Sequence, residues 1–278
     1  MDETFAPITR DTLLKFARDG GDGKLYGLYQ TAFAYPALGE WFKPIEGKLY
    51  LCTNGYHATL PGFLPYMNHL DTSKLFVAET MDEQILTGFS KVCCRTMRLV
   101  REVTTWRPDT IAAVVFEAAR CFFSNEDYIR ESSRYRRTDD QAKANERFRV
   151  SALACAESMA KLFSMPSEVF NSRDGQLQLA DALTAYRETV YANDTLGIGD
   201  DMFLAVMAKH RFLTGYDPIS PTPPELSDNR STRISAAADI GSMLGRLEYR
   251  MHDWDMDGVL EDLILDTLNG INVVSDSQ

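Results

Sequence analysis

The residues best suited to chemistry lie in Asn54-Gly55-Tyr56-His57 and in the strand-like runs that follow it. A tight turn that presents a phenol and an imidazole at a strand start can orient a ligand. His57 can serve as a general base where a carboxylate such as Glu79 stands on a neighbouring strand. The plainer reading makes the segment a hairpin turn, with Tyr56 packed and His57 satisfied by backbone. Arg95, Arg98 and Arg101, with Lys91 and Arg107 nearby, form the dense basic segment of the N-terminal half. On one strand their spacing divides them between two faces, so they cannot form a continuous phosphate stripe. Arg98 would centre an anion pocket, or the three would be edge charges pairing with Glu79, Glu83 and Glu102. The binding candidates are therefore Asn54, Tyr56, His57, Arg95, Arg98 and Arg101, and the catalytic candidates are Tyr56, His57 and Glu79.

A third constellation, Asp253-x-Asp255-x-Asp257-Gly258, opens like a calcium-binding EF-hand loop. The closing position, which needs a bidentate carboxylate, is Ile264. The alternative is a set of aspartates that precede and cap a helix starting near Gly258. No metal is expected. The five cysteines (52, 93, 94, 121 and 155) show no metal-ligand spacing and read as buried free thiols. His69, His210 and His252 have no partner pattern and read as satisfied core or surface residues. Phosphate-loop, nucleophile-elbow and H-E-x-x-H motifs do not occur.

Charge narrows the partners. Residues 1–110 hold 12 Lys and Arg against 13 Asp and Glu, and the remainder 17 against 27, so −10 of the net −11 falls after residue 110. Beyond Arg250 there is no Lys or Arg, while Asp253, Asp255, Asp257, Glu261 and Asp262 form an acidic surface. Such a surface repels phosphate backbones and anionic lipid, which disfavours direct nucleic-acid binding and favours a protein partner with a basic face. No apolar run approaches the roughly 20 residues of a membrane span. The acidic start MDETFAPITRD lacks the basic-then-apolar order of a signal peptide, so a cytoplasmic protein is expected.

The elements that would position these residues fall into two halves. Residues 9–19 read as a short helix capped by Thr9, and 24–33 as a strand. Residues 48–52 read as a strand, Asn54-Gly55 as its turn, and 56–59 as extended. A short irregular or helical piece ends near Leu70. Strands follow over 74–79 and 91–101, the second with imperfect alternation. From Pro108 the texture becomes helical: 110–123, 142–163, 177–191, 201–212, 231–250 and 259–268, with a proline-rich loop at 215–228. The fold class is α+β, a small mostly antiparallel N-terminal sheet followed by a helical C-terminal half. The domain reading is 1–107 for the α+β part and 108–278 for the helical part with its acidic end.

Gly47-Lys48, Cys52, Gly55-Tyr56-His57-Ala58 and the run KVCCRTMRLVREVTTW resemble a domain common in bacteriophage and prophage genomes. Its signature is a Gly-Phe-His-Ala-Cys turn followed by a strand and a tryptophan. An alanine-rich helical region often comes next, as DTIAAVVFEAARCFF comes after Trp106. The resemblance spans about residues 24–123. It departs at Thr59, where the family has its second cysteine, and in the lower alanine content of the helices. It implies a phage or prophage context and, with it, the host cytoplasm, rather than a reaction. A second likeness is to small ADP-ribosyltransferase folds, since KLYGLYQT, NGYHAT and LFVAET fall in their order. It implies Tyr56 stacking on the nicotinamide of NAD and Glu79 steadying an oxocarbenium-like sugar. Gln30 stands where such enzymes grip the cofactor with His or Arg.

The function expected from these observations is a phage-associated accessory protein without catalysis or cofactor. It would bind a host or phage macromolecule, an inhibitor of host defence among the options. An NAD-using ADP-ribosyltransferase-like enzyme and a structural virion component are the alternatives, and a homo-oligomer is left open.

Overall fold

The computed structural model describes residues 5–28, 34–66, 73–83, 85–88, 90–134, 140–187, 197–217 and 229–274. Gln30 and the end of the strand expected over 24–33 lie outside them. So do His69 and Leu70, the end of the helix expected over 177–191, and residues 218–228 of the proline-rich stretch. The chain forms two compact units, Met1–Arg107 with Ile264–Ile271, and Pro108–Leu263 with Asn272–Gln278. The expected fold class holds: antiparallel sheet in the N-terminal half, helices in the C-terminal half.

In the first unit, β1 (Leu14–Asp19), β2 (Leu25–Tyr26), β4 (Ser73–Glu79) and β7 (Arg98–Glu102) form an antiparallel sheet in the order β2-β1-β4-β7. A second antiparallel sheet runs β3-β6-β5, from β3 (Tyr56–Ala58), β5 (Leu86–Thr87) and β6 (Val92–Cys94). Between β3 and β4, Pro61–Tyr66 makes the expected short helical piece, a 3-10 turn. Ala17, Phe42, Ala58, Phe76, Cys94, Met97 and Leu99 share one apolar core.

Three expected elements differ. Residues 9–19 are not a helix. Thr9 and Thr12 close a turn, and β1 then pairs with β2 on one edge and β4 on the other. Leu14 and Phe16 are buried on one face of β1 and Ala17 on the other, so the strand lacks a clean period of two and its apolar positions also fit a short amphipathic helix. Residues 48–52 are not a strand either. They lead into a turn in which the Tyr50 carbonyl accepts from Thr53 N and Asn54 N (3.3 and 3.1 Å) and Cys52 adopts a left-handed φ of 73°.

The strand expected over 91–101 is broken into β6 and β7, which belong to different sheets. Asp82 makes the break. Its carboxylate accepts from the backbone N–H of Arg95 and Thr96 and from the Thr96 hydroxyl at 2.7 Å, taking up donors that a continuous ladder would need. Replacing Asp82 with alanine orphans these donors. The expected cost is on the order of 2–3 kcal/mol, read as a lower denaturant midpoint for the first unit. An unchanged midpoint would remove Asp82 from this role. The chain at 39–45 runs along the start of β7 and the segment leading into it, where Gly39 N, Phe42 N and Ile45 N donate to the carbonyls of Leu99, Met97 and Arg95.

The second unit contains α1 (Pro108–Phe122), α2 (Glu126–Arg134), α3 (Gln141–Ser164), α4 (Ser167–Phe170), α5 (Arg173–Ala185), α6 (Ile198–Thr214) and α7 (Asn229–Asp253). It also holds the start of α8 (Asp257–Leu268), whose end belongs to the first unit. Buried positions on α1 run from Ile111 to Ala119 without a gap, so this helix is enclosed, and it packs against α6 and α7. Phe148, Ala152, Cys155, Met159 and Leu162 form the buried stripe of α3. Its N-cap is Asp140, which accepts from Lys143 N at 3.2 Å, and Pro166 follows its end. Buried Asp201 near the start of α6 pairs with Arg246 at 2.7 Å and with Arg250, locking α6 to α7. His210 is fully buried, lying flat on Phe170 at 3.6 Å with Nε2 3.0 Å from the Leu162 carbonyl and Nδ1 3.3 Å from the Ser167 hydroxyl.

Candidate functional site

The Asn54–His57 segment follows the 50–54 turn and enters β3. Asn54 spends its side-chain amide inside the turn, donating to the carbonyls of Glu46 (3.2 Å) and Lys48 (2.7 Å). The Tyr56 hydroxyl donates to the Lys43 carbonyl at 2.6 Å, and its ring meets Phe42 edge-on at 5.1 Å. Burial pushes the Tyr56 phenol above its ordinary pKa. His57 Nε2 accepts from the backbone N–H of Cys52 at 2.9 Å. Burial and the charges of Lys15 and Lys91 hold the imidazole below its usual pKa, favouring the neutral ring that this bond requires. The Lys15 ammonium donates to the His57 carbonyl, and burial lowers this lysine to about 8.

Glu79 does not reach His57. It ends β4 in the other sheet and takes a two-pronged contact from Arg98, Nε at 2.8 Å and Nη2 at 2.5 Å. Arg98 in turn lies over the indole of Trp41 at 4.8 Å. The three arginines go separate ways. Arg95 Nη1 is held by the carbonyls of Ile45 (2.6 Å) and Gly47 (2.9 Å). Arg101 lies over the Phe5 ring at 5.2 Å, with Nη2 3.5 Å from the Ala6 carbonyl. Asp11, Trp41, Glu79 and Arg101 line an open groove of about 450 Å³ in the first unit. A second groove of about 580 Å³ shares Arg101 and is walled by Phe5, Val103, Leu268 and Ile271.

At the α7–α8 junction Asp253, Asp255, Asp257 and Asp262 are exposed and Glu261 is half-buried. The geometry is a tight helix–helix corner and not a cation loop. Asp255 takes a left-handed φ of 55°, and Gly258 through Ile264 are already inside α8, so no twelve-residue loop can wrap an ion. Among the described residues no group of three or more His, Cys, Asp or Glu side chains could hold a metal. His252 Nδ1 meets Asp257 at 2.8 Å, and that contact raises the imidazole pKa. Tyr249, on the preceding turn of α7, leaves 67% of its surface in solvent.

Sequence reasoning missed Lys15, which was hidden in the supposed helix, and Asp82, whose partners are mostly backbone atoms. It also took Cys52 for a buried thiol, whereas the structure exposes it at the turn. No helix among the described residues is long and apolar enough to cross a membrane. Comparison with protein-family models, curated proteins and solved structures gives no match.

Proposed function

We propose that this chain is a non-catalytic accessory protein that acts by binding a basic macromolecular partner through the acidic corner of its helical unit. The observation that carries the reading is the exposure of Asp253, Asp255, Asp257 and Asp262 together with Tyr249, an aromatic anchor beside a patch of one sign. The occupation of Tyr56, His57 and Glu79 by Lys43, Cys52 and Arg98 supports the absence of catalysis. The resemblance to the prophage domain supports a phage accessory role, with a host or phage protein, including a component of host defence, as the partner. A partner of that kind would be met in the host cytoplasm.

The test compares capture from host lysate by the wild-type protein and by a variant with asparagine at 253, 255, 257 and 262. A partner held at low salt, shed at high salt and bound at least about tenfold more weakly by the variant is expected. Equal binding by the variant would sink the reading. Calorimetric NAD binding that disappears in Tyr56→Ala would replace it with the NAD-dependent alternative. Stoichiometric presence in purified particles would replace it with a virion component.

A further inference from the structure

The strongest unused chemistry lies under the 50–54 turn. In the β3–β6 ladder His57 stands directly opposite Cys93, so imidazole and thiol project from the same face of that sheet. The turn is folded over this face. The Cys52 N–H bonds His57 Nε2 at 2.9 Å, and Cys93 Sγ lies 3.8 and 3.6 Å from the carbonyls of Tyr50 and Asn54, the two ends of the turn that carries Cys52. Cys93 is also so close beneath Gly55 that a Cβ there would overlap its sulfur. Cys94, its neighbour in sequence, projects the other way into the apolar core and donates to the Tyr56 carbonyl at 3.6 Å. Cys52 is the exposed one of the three, and it holds a left-handed φ of 73°, a conformation that residues with a Cβ adopt at a cost and that concentrates at working sites.

We infer that Cys52 and Cys93 form a peroxide-modified thiol pair, with Cys52 the attacking group and Cys93 the resolving one. The Cys52 thiolate attacks one oxygen of a hydroperoxide and the O–O bond breaks. The Cys52 sulfur becomes a sulfenic acid, and the departing oxygen leaves as water or an alcohol. Cys93 sulfur then attacks the sulfenic sulfur. The S–O bond breaks, and the expelled hydroxide combines with the Cys93 proton as water. Two thiols lose two electrons in total, and the peroxide gains them. A dithiol reductant reverses the bond by exchange. The roles follow from access. Cys52 meets solvent, while burial raises the pKa of Cys93 and keeps it protonated until the turn presents an electrophile. Closing the disulfide removes the S–H that Cys93 offers to Tyr50 and Asn54. Oxidation therefore rebuilds the turn that leads into Tyr56 and His57.

The test treats the reduced full-length protein with hydrogen peroxide, blocks the remaining thiols, and maps peptides without reduction. A linked Cys52–Cys93 peptide is expected in the wild type and in Cys94→Ser, and none in Cys52→Ser. In Cys93→Ser, checked for folding by circular dichroism, Cys52 is expected to be trapped as sulfenic acid by a cyclic diketone. Should that variant not fold, the wild-type and Cys52→Ser maps decide alone. The inference is overturned if Cys52 stays a thiol or passes to sulfinic acid while Cys93 remains free. It is also overturned if Cys52 links to a second copy or to Cys94.

Discussion

Alanine in place of Gly55 is expected to cost the first unit about 4 kcal/mol, a large share of the roughly 5–15 kcal/mol that holds an ordinary domain folded. Two penalties add. The φ of 145° is a conformation that residues with a Cβ avoid, worth roughly 1–3 kcal/mol. The new methyl would also overlap Cys93 Sγ and press on the Cys94 carbonyl and Leu49, each 3.3 Å away, an overpacking penalty of roughly 1–3 kcal/mol. The Cys93 backbone cannot retreat, because β5 and β3 flank its strand on both sides, so the strain falls on its side chain and on the turn above it. Gly21 is the control. It also has positive φ (75°), but its Cβ would meet open space, so alanine there should cost only about 1 kcal/mol. Denaturant titration followed by tryptophan fluorescence, with both Trp41 and Trp106 in the first unit, measures the pair. Equal costs at the two positions would mean that the chain is not wrapped on Cys93.

Acid is expected to weaken the helical unit through His210. Burial carries its pKa from the ordinary 6.5 down to about 4, with the charge of Lys209 adding to the depression and the Leu162 contact opposing it. The unfolded chain therefore takes up this proton at higher pH than the folded one. Stability from this group is complete above about pH 6.5, falls as the pH drops towards 4, and loses nothing more below that. The full loss is about 3 kcal/mol. The mechanism is visible in the surroundings: a neutral ring is satisfied by Leu162 and Ser167, whereas an imidazolium would hold a full charge in a buried site against the face of Phe170. Thermal melts across this range should show the slope, and His210→Gln, less stable throughout, should lack that share of it. A variant slope equal to that of the wild type would assign the acid sensitivity to carboxylates instead.

What could be read from sequence and what could not divides along physical lines. The long helices were readable because their signal is local, while the short α2 and α4, without an extended apolar stripe, were missed. Phe148 to Leu162 repeats at helical spacing, and Pro108 and Pro166 punctuate it, so α1 and α3 lie where periodicity puts them. The sheets were harder because each decision is made at a distance. Val92 to Arg101 has the composition of one strand, and what splits it is a carboxylate more than ten residues upstream. The 9–19 stretch carries both a helical and an alternating pattern, and pairing with β4 settles it. The candidate site fared in the same way. Asn54 to His57 was readable as a turn that resumes a strand. The partners that occupy its side chains are the Lys43 carbonyl and the Cys52 amide, backbone atoms that no residue pattern announces. The Tyr56–His57–Glu79 grouping dissolves because a second sheet, unseen in the sequence, separates its members.

One small contact bears on how the protein is made. The Asn269 side chain accepts from Ile8 N at 2.8 Å and donates to Ile8 O at 2.9 Å, imitating a neighbouring strand's peptide group, while Thr105 holds the Leu268 carbonyl at 2.9 Å. The first unit is thus finished by residues that leave the ribosome after α1 to α7 and the start of α8. At about 5–20 residues per second, Ile8 waits on the order of 10 s or more for its partner. During that interval the wall of the second groove formed by Leu268 and Ile271 does not yet exist. The nascent chain therefore passes through a stage in which Val103, buried in the finished unit, still lacks that wall.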